Sequence, residues 1–201
     1  MRIVGGSFRG KKLLFPEDKR VRPTSDRARE ALFNILSHDS EMRQEQGPLP
    51  LNSRVLDVFS GTGALGLEAL SRGAAHVTFV DNHPDSLKLI EGNVKNMGAR
   101  QNSDILRRDA LNIGRPGAAY DLVLMDPPYK AGLTFPTLIS LAEGGWLKPD
   151  TVIVIELAAK EKASLPSKFQ MLKERTYGAA KLIFLRAEPG QYDDTSQTDH
   201  Q

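Results

Sequence analysis

From residue 54 onward, short apolar runs alternate with segments of helical spacing, and this alternation constrains the fold more than any other feature. The apolar runs predict five strands, at residues 55–59, 77–80, 105–108, 122–125 and 152–155. Helical spacing predicts helices between them, at residues 64–71, 84–97 and 134–141. Continuously apolar strands are typical of a parallel sheet covered by helices on both faces. The sequence therefore predicts a doubly wound α/β fold.

The C-terminal end departs from this repeat. Residues 169–175 and 181–186 resemble two strands joined through Tyr177 and Gly178, with no room for a crossover helix. Such strands pair as an antiparallel hairpin. We expect a mostly parallel, seven-stranded sheet closed by this hairpin. Residues 188–201 are polar and acidic, and we expect a disordered tail without an assigned function.

The N-terminal third is organised differently. Residues 1–15 are interrupted by glycines and fit short extended pieces, and a helix capped by Thr24 or Ser25 follows to residue 36. Ala28, Ala31, Leu32, Ile35 and Leu36 form its apolar stripe, and Arg27 and Arg29 are expected to point away from most of it. The predicted organisation is a basic N-terminal arm and helix (1–36), a linker (37–53), the main domain (54–187) and the tail (188–201).

The net charge of +2 conceals an uneven distribution along the chain. Residues 1–30 contain nine Lys or Arg and four Asp or Glu, whereas residues 188–201 contain four acids and no Lys or Arg. The basic arm is a candidate contact for a polyanion, or it is an exposed, solvated face. Composition does not separate these interpretations.

Composition also excludes several classes of function. The chain has no cysteine, which rules out a disulfide scaffold, a cysteine-ligated metal and a thiol nucleophile. No apolar run approaches the roughly 20 residues of a membrane span, and no signal-peptide core follows Met1. We expect a cytoplasmic protein without a metal site.

A glycine-rich loop joins the first strand to the first helix. It contains Gly61, Thr62 and Gly63 and continues to Gly66, and Asp81 ends the second strand. Glycines let the backbone approach a ligand, and an acid at this position binds ribose hydroxyls. The pattern indicates a nucleoside-containing cofactor, either a dinucleotide or S-adenosyl-L-methionine.

Two further acids bear on that choice. Asp57 stands inside the first strand, and Asp109-Ala110 follows the third. Acids at one edge of the sheet favour a cofactor with an ammonium and a sulfonium over one with a pyrophosphate. The alternatives are a capping carboxylate for Asp57 and a turn residue for Asp109.

The most specific motif is Asp126-Pro127-Pro128-Tyr129, directly after the fourth apolar strand. Because proline nitrogens donate no hydrogen bond, the groups offered here are acceptors: the Asp126 carboxylate and the Pro127 carbonyl. Two acceptors suit a substrate NH₂ group, whose lone pair they localise toward an electrophilic methyl group. Tyr129 would stack on a flat base that has left its helix. The alternative is a plain proline turn after a strand.

With these residues identified, the sequence resembles the Rossmann-like S-adenosylmethionine-dependent methyltransferases, and more narrowly the RsmD family of bacterial small-subunit (16S) rRNA guanine-N2 methyltransferases. The matching pieces are Arg2-Ile3-Val4-Gly5-Gly6, Phe8-Arg9-Gly10-Lys11-Lys12-Leu13, Arg22-Pro23-Thr24-Ser25-Asp26-Arg27 with Arg29-Glu30, residues 59–72, and Asp126 to Tyr129. The N-terminal pieces discriminate most, since the glycine loop and proline motif are shared with many methyltransferases. The resemblance covers about residues 2–186.

The resemblance implies roles for individual residues. Catalysis is assigned to Asp126, Pro127, Pro128 and Tyr129. Binding of S-adenosyl-L-methionine is assigned to Asp57, Phe59, Gly61, Thr62, Gly63, Asp81, Asp109 and Ala110. Ribosomal RNA is assigned to the basic arm, through Arg2, Arg9, Lys11, Lys12, Arg22 and Arg27. We expect the protein to act as a monomer on RNA in an assembling small subunit.

Other functions stay open at this point. Adenine N6, cytosine N4 and a protein glutamine amide present NH₂ groups of similar geometry. A nicotinamide-dependent oxidoreductase would use the same glycine loop and Asp81, but would leave the Asp126 motif and the closing hairpin unexplained. A non-catalytic RNA-binding module would leave the whole motif set without a purpose.

Overall fold

The structure is a computed structural model, and it describes residues 1–16, 25–129, 131–162 and 165–188. Within these ranges seven strands form one sheet: β1 Arg54–Val58, β2 His76–Asp81, β3 Ser103–Arg107, β4 Tyr120–Met125, β5 Leu147–Ala158, β6 Phe169–Tyr177 and β7 Ala180–Ala187. Their order is β3-β2-β1-β4-β5-β7-β6. Neighbouring strands are parallel as far as β5, and β7 runs antiparallel to both β5 and β6. The predicted fold class is confirmed.

Helices cover both faces of the sheet. In the described part of the chain they are α1 Asp26–His38, α2 Ala64–Ser71, α3 Pro84–Met97 and α4 Thr134–Glu143. Leu32 of α1, Leu67 of α2 and Val94 of α3 belong to one apolar core on one face. Leu138 and Leu141 of α4 belong to a second core on the other. No helix among these residues is long and apolar enough to cross a membrane.

The predicted elements recur with small shifts at their ends, except for β5. This strand begins at Leu147 rather than at Val152. Its polar first part interrupts the apolar pattern at Lys148, Pro149 and Asp150, and pairing between Tyr120 and Leu147 extends the strand across the irregularity. Apolar periodicity therefore found only the buried half of the strand.

The first sixteen residues pack against the main sheet's helices. Ile3 N donates to Lys11 O (2.9 Å) and Leu13 N donates to Met1 O (3.1 Å), so the two ends of the arm pair as short extended pieces. Gly6 has φ +75°, and a Cβ there would lie 1.9 Å from Ser71 O on α2. Glycine is required at this position because both the backbone angle and the close approach exclude a side chain.

Helix α1 begins where the sequence predicts, but one of its arginines is placed differently from the prediction. Ser25 caps it and accepts a hydrogen bond from Ala28 N (3.1 Å), whereas Thr24 lies outside the described residues. The expectation that Arg29 points away from the apolar stripe is wrong, because Arg29 is fully buried. Its guanidinium is paired with Asp26 and Glu68. Helical spacing alone does not reveal a buried cation with partners supplied from elsewhere in the chain.

Residues 39–53 also contribute to the core. A short 3₁₀ turn at Ser40–Met42 buries Met42, and Leu49 is buried as well. The division into arm, linker and main domain remains a prediction. The predicted disordered tail, from residue 189 onward, lies outside the described residues.

Candidate active site

A cleft of about 570 Å³ lies at the carboxyl ends of β1, β2 and β4. This volume falls within the range of roughly 300–1,000 Å³ for small-molecule sites. Most of the predicted cofactor and catalytic residues line it together: Asp57, Phe59, Gly61, Thr62, Asp81, Asp126, Pro127, Pro128 and Tyr129. Met1, Ser60, Ala64, Leu65, Asn82, His83 and Ser86 complete its lining.

Three predicted residues lie outside this lining. Gly63 is buried as the N-cap of α2. Asp109 accepts from Leu111 N (2.9 Å) and caps a short 3₁₀ turn at Ala110–Asn112, which is the turn role that the sequence left open. Ala110 is buried in the second core. A cofactor-binding role for these three residues remains a prediction.

Asp81 is held in place by the loops on either side of it. One carboxylate oxygen accepts from Gly61 N and the other from His83 N, both at 2.9 Å. Gly61 has φ +55°, and an added Cβ would meet only Phe59 O, at 4.0 Å, so the loop leaves open space above it. An oriented carboxylate beside an open glycine loop can bind ribose hydroxyls.

Asp57 is buried at the floor of the cleft, with only 1% of its surface exposed. Its Oδ2 accepts from Gly66 N (2.9 Å) in the first turn of α2. Burial raises the pKa of Asp57 to about 8, the bond from Gly66 opposes this shift, and the negative charge of Asp81 adds to it. The carboxylate form is therefore stabilised by positive charge brought into the cleft.

The Asp126 motif follows the carboxyl end of β4 and lines the cleft. Asp126 N donates to Val58 O (3.4 Å), and Ala131 N donates to Pro128 O (3.3 Å) in the turn that follows. Burial raises the pKa of Asp126 well above its ordinary value, and negative charge on Glu156 and Asp57 adds to the shift. The Tyr129 side chain is exposed, and its ring is accessible at the rim.

The residues of the cleft fit S-adenosyl-L-methionine, the cofactor that the sequence favours. The cleft combines the oriented Asp81 carboxylate, the open glycine loop and an excess of carboxyls around Asp57, which suits an adenosine carrying an ammonium and a sulfonium. A pyrophosphate would place like charges together at the same edge. In the part of the chain that the structure covers, no cluster of three or more His, Asp or Glu could hold a metal ion.

The predicted RNA-binding residues that the structure describes lie outside the lining of the cleft. Arg2, Arg9 and Arg27 line a small cavity of about 250 Å³ together with Asp26 and Glu30. Arg2 Nε is paired with Asp26 Oδ2 (3.2 Å). Lys12 is exposed outside this cavity, and the Lys11 ammonium lies 5.5 Å from the centre of the Phe8 ring. Arg22 lies outside the described residues.

Sequence reasoning missed two polar residues next to the cleft. Asn93 is fully buried on α3; its amide donates to Thr62 O (2.9 Å) in the glycine loop and to Leu14 O (3.0 Å) in the arm. Glu156 is buried beside Asp126. Asn93 lies within a helical pattern without a distinguishing signal. Glu156 follows the apolar run 152–155 just as Asp126 follows the run 122–125, and this shared position could have identified it.

The chain is similar to proteins of one family over nearly its whole length. The family model described as "Conserved hypothetical protein 95" matches residues 1–186. A protein of Escherichia coli (strain K12) named "Ribosomal RNA small subunit methyltransferase D" is 34% identical over 96% of this chain and 93% of its own length. The protein of the same name from Haemophilus influenzae is 32% identical over 89% of each chain.

Solved structures agree with the sequence comparisons. A methyltransferase structure from Escherichia coli superposes with a TM-score of 0.80 at 31% identity, and covers 94% of this chain and 99% of that one. A methylase structure from Haemophilus influenzae gives a TM-score of 0.71 at 28% identity, over 93% and 98% of the two chains. These similarities extend over both the arm and the sheet.

Proposed function

Since the chain belongs to the conserved hypothetical protein 95 family, the RsmD family, we propose that it is an rRNA methyltransferase that uses S-adenosyl-L-methionine to methylate the exocyclic N2 of a guanine in small-subunit ribosomal RNA. The observation that carries the proposal is the meeting of the Asp126 motif with Asp57, Asp81 and the glycine loop in one cleft. Relatives named as small-subunit rRNA methyltransferases over nearly their whole length support the choice of substrate.

The cofactor would be held by the loops at the ends of β1 and β2. Asp81 would bind the ribose hydroxyls, and backbone of the Gly61 loop would lie against the ligand. The carboxyl at Asp57 would face the positively charged end. When bound, S-adenosyl-L-methionine supplies a methyl group on a cationic sulfur.

The Asp126 motif would hold the substrate amine. An exocyclic amine is a weak nucleophile because its lone pair is delocalised into the ring. The Asp126 carboxyl and the Pro127 carbonyl accept hydrogen bonds from its two N–H groups and favour a pyramidal nitrogen with a localised lone pair. The accessible Tyr129 ring would stack on the base and fix its plane. Positioning of this kind contributes much of the rate in bimolecular reactions.

Ribosomal RNA would be bound by the arm. Arg2, Arg9 and Arg27 share one small cavity, and Lys11 and Lys12 lie on the same arm, so phosphates could be contacted beside the cleft. Asp26 and Glu30 at that cavity moderate its positive potential. Action as a monomer on an assembling subunit in the cytoplasm is part of the proposal.

Transfer of labelled methyl groups tests the whole proposal. Ribosomal RNA from cells that lack this enzyme is incubated with the protein and labelled S-adenosyl-L-methionine, and the RNA is then digested to nucleosides. We expect label in N2-methylguanosine of the small-subunit RNA. Label in adenine N6 or cytosine N4, or in protein, would replace the proposed substrate, and tight binding of NAD without S-adenosyl-L-methionine would refute the reaction class.

A further inference from the structure

Glu156 occupies on β5 the position that Asp126 occupies after β4. The parallel register of these strands ends at Met125 opposite Ile155, and an acid follows each residue. Parallel neighbours lie about 4.8 Å apart in a sheet. Asp126 N still donates to Val58 O of β1, so Asp126 remains between β1 and β5 rather than turning away from the sheet. The two acids are therefore adjacent.

Both acids belong to the same face of the sheet as Asp57. Val55 of β1, Leu122 and Leu124 of β4, and Val152 and Val154 of β5 pack in the core beneath α1, α2 and α3. Because side chains alternate along a strand, the next residues on this face are Asp57, Asp126 and Glu156. Three carboxyls on adjacent strands thus face one side, and Glu156 is only 3% exposed.

Among the described residues, several cations near this set are paired with other groups. Arg29 and Arg72, from the helices above this face, are paired with Glu68. Lys181 of β7 lies opposite Leu157 and so on the other face, with its ammonium near Glu161 O and Glu174. Asp81 acts on the set through Asp57. Lys130 lies outside the described residues.

Neighbouring buried carboxyls do not ionise independently. Burial raises the pKa of Asp126 first, and the negative charge of Glu156 is the next cause, ahead of that of Asp57. Two interacting carboxyls can share one proton, since ionising the second places like charges together. A pair in that state carries one negative charge and one proton.

Resting on the methyl transfer proposed above, we propose that Glu156 is a positioning residue that forms a carboxyl pair with Asp126, and that this pair takes up the proton released by the substrate amine. The amine nitrogen forms a bond to the methyl carbon, while the carbon–sulfur bond breaks with its electrons retained on sulfur. The nitrogen then loses one proton to Asp126. The singly ionised pair becomes neutral and returns that proton to water.

The test compares pH profiles of kcat for the wild-type protein and Glu156→Gln, which keeps shape and removes the acid. The wild-type profile is expected to contain two ionisations from the pair. Glu156→Gln should contain one, displaced to lower pH because the like charge is gone, and kcat near neutral pH should fall by about 10²-fold. Glu143→Gln, an exposed glutamate on α4, serves as the matched control.

An unchanged pH profile and kcat in Glu156→Gln would overturn the pairing. If that variant does not fold, carboxyl-labelled wild-type protein is titrated by NMR, where Asp126 and Glu156 should each titrate in two steps. A single independent step for Asp126 would overturn the proposal equally. Failure of the proposed function is distinguishable, because the wild-type protein would then transfer no methyl to RNA.

Discussion

Buried charge is treated in opposite ways on the two sides of α2. At the arm, Glu68 is fully buried but receives Arg29 at 3.6 Å and Arg72 at 2.8 Å, as well as the N–H groups of Val4 and Gly5. In the cleft, burial raises the pKa of Asp57 and of Asp126, and neighbouring carboxyls add to both shifts. In the first arrangement the buried charges have partners of opposite sign. The second retains unfavourable electrostatics that a cationic ligand and an amine can relieve.

The two regions are nevertheless connected by hydrogen bonds. The buried amide of Asn93 links Leu14 in the arm to Thr62 in the glycine loop, and Glu68 and Ser71 of α2 bind the arm's backbone. Because α2 starts at the glycine loop, the surface proposed for RNA and the loop proposed for the cofactor share one rigid support. Because the buried charges on the two sides have different partners, we still expect substitutions there to separate stability from activity.

We expect Asp126→Ala to give the largest loss of activity without a loss of stability. Removing the acceptor should lower kcat by at least about 10³-fold, with cofactor affinity largely kept. Stability at neutral pH should be unchanged or higher, because a carboxyl among like charges is removed. Methyl transfer, calorimetry with S-adenosyl-L-methionine and urea unfolding measure these effects, with Glu143→Ala at an exposed position of α4 as control. Loss of cofactor binding together with activity would show that the role of Asp126 is misassigned.

The sequence predicts some parts of the candidate site and leaves others unpredicted. The Asp126 motif and Asp81 could be predicted because each follows an apolar strand at a position where parallel sheets bind ligands. The buried role of Arg29 could not, because its partner Glu68 is distant in sequence and on another helix. Asp109, two residues after β3, caps a turn that the sequence left open, and its role towards a cofactor stays a prediction. Spacing along the chain locates an element's end, but not which side chains meet across elements.

On the arm side, Glu68→Ala should act on stability instead. Removing this carboxylate leaves buried Arg29 without its buried charge partner, and such changes typically cost about 3–5 kcal/mol. Urea unfolding should show this loss, whereas Glu91→Ala at an exposed position of α3 should have little effect. A loss below about 1 kcal/mol would mean that the buried pair contributes no more than a surface ion pair.

Asp57→Asn tests the electrostatics of the cleft through pH. The Asp57 carboxyl has an ordinary pKa of 3.8 and a folded pKa of about 8, so the folded state binds the extra proton between these values. Wild-type stability should therefore fall as pH rises through this window, by up to about 1.4 kcal/mol per pH unit. Asp57→Asn should flatten that slope and be relatively more stable at the alkaline end. Unfolding free energies measured across the window, with Glu143→Gln at an exposed position of α4 as control, decide; equal slopes would contradict the assigned shift.

The smallest effect on the fold is expected from reversing charge on the arm with Arg9→Glu and Lys11→Glu. Both side chains lie outside the Glu68 pairing, so unfolding should change little, while RNA affinity should fall roughly tenfold at low salt. The slope of log affinity against log salt should become shallower by about 0.7–0.9 for each phosphate that the variant no longer neutralises. Lys95→Glu with Arg100→Glu, two exposed cations at the far end of α3, is the matched control.

The same double variant also tests whether the arm takes part in the chemistry. Because Arg9 and Lys11 are absent from the lining of the cleft, kcat at saturating RNA should be retained. Methyl transfer measured over a range of RNA concentrations separates the effect on affinity from the effect on turnover. A lowered kcat with unchanged RNA affinity would show that the arm contributes to the reaction and not to RNA binding.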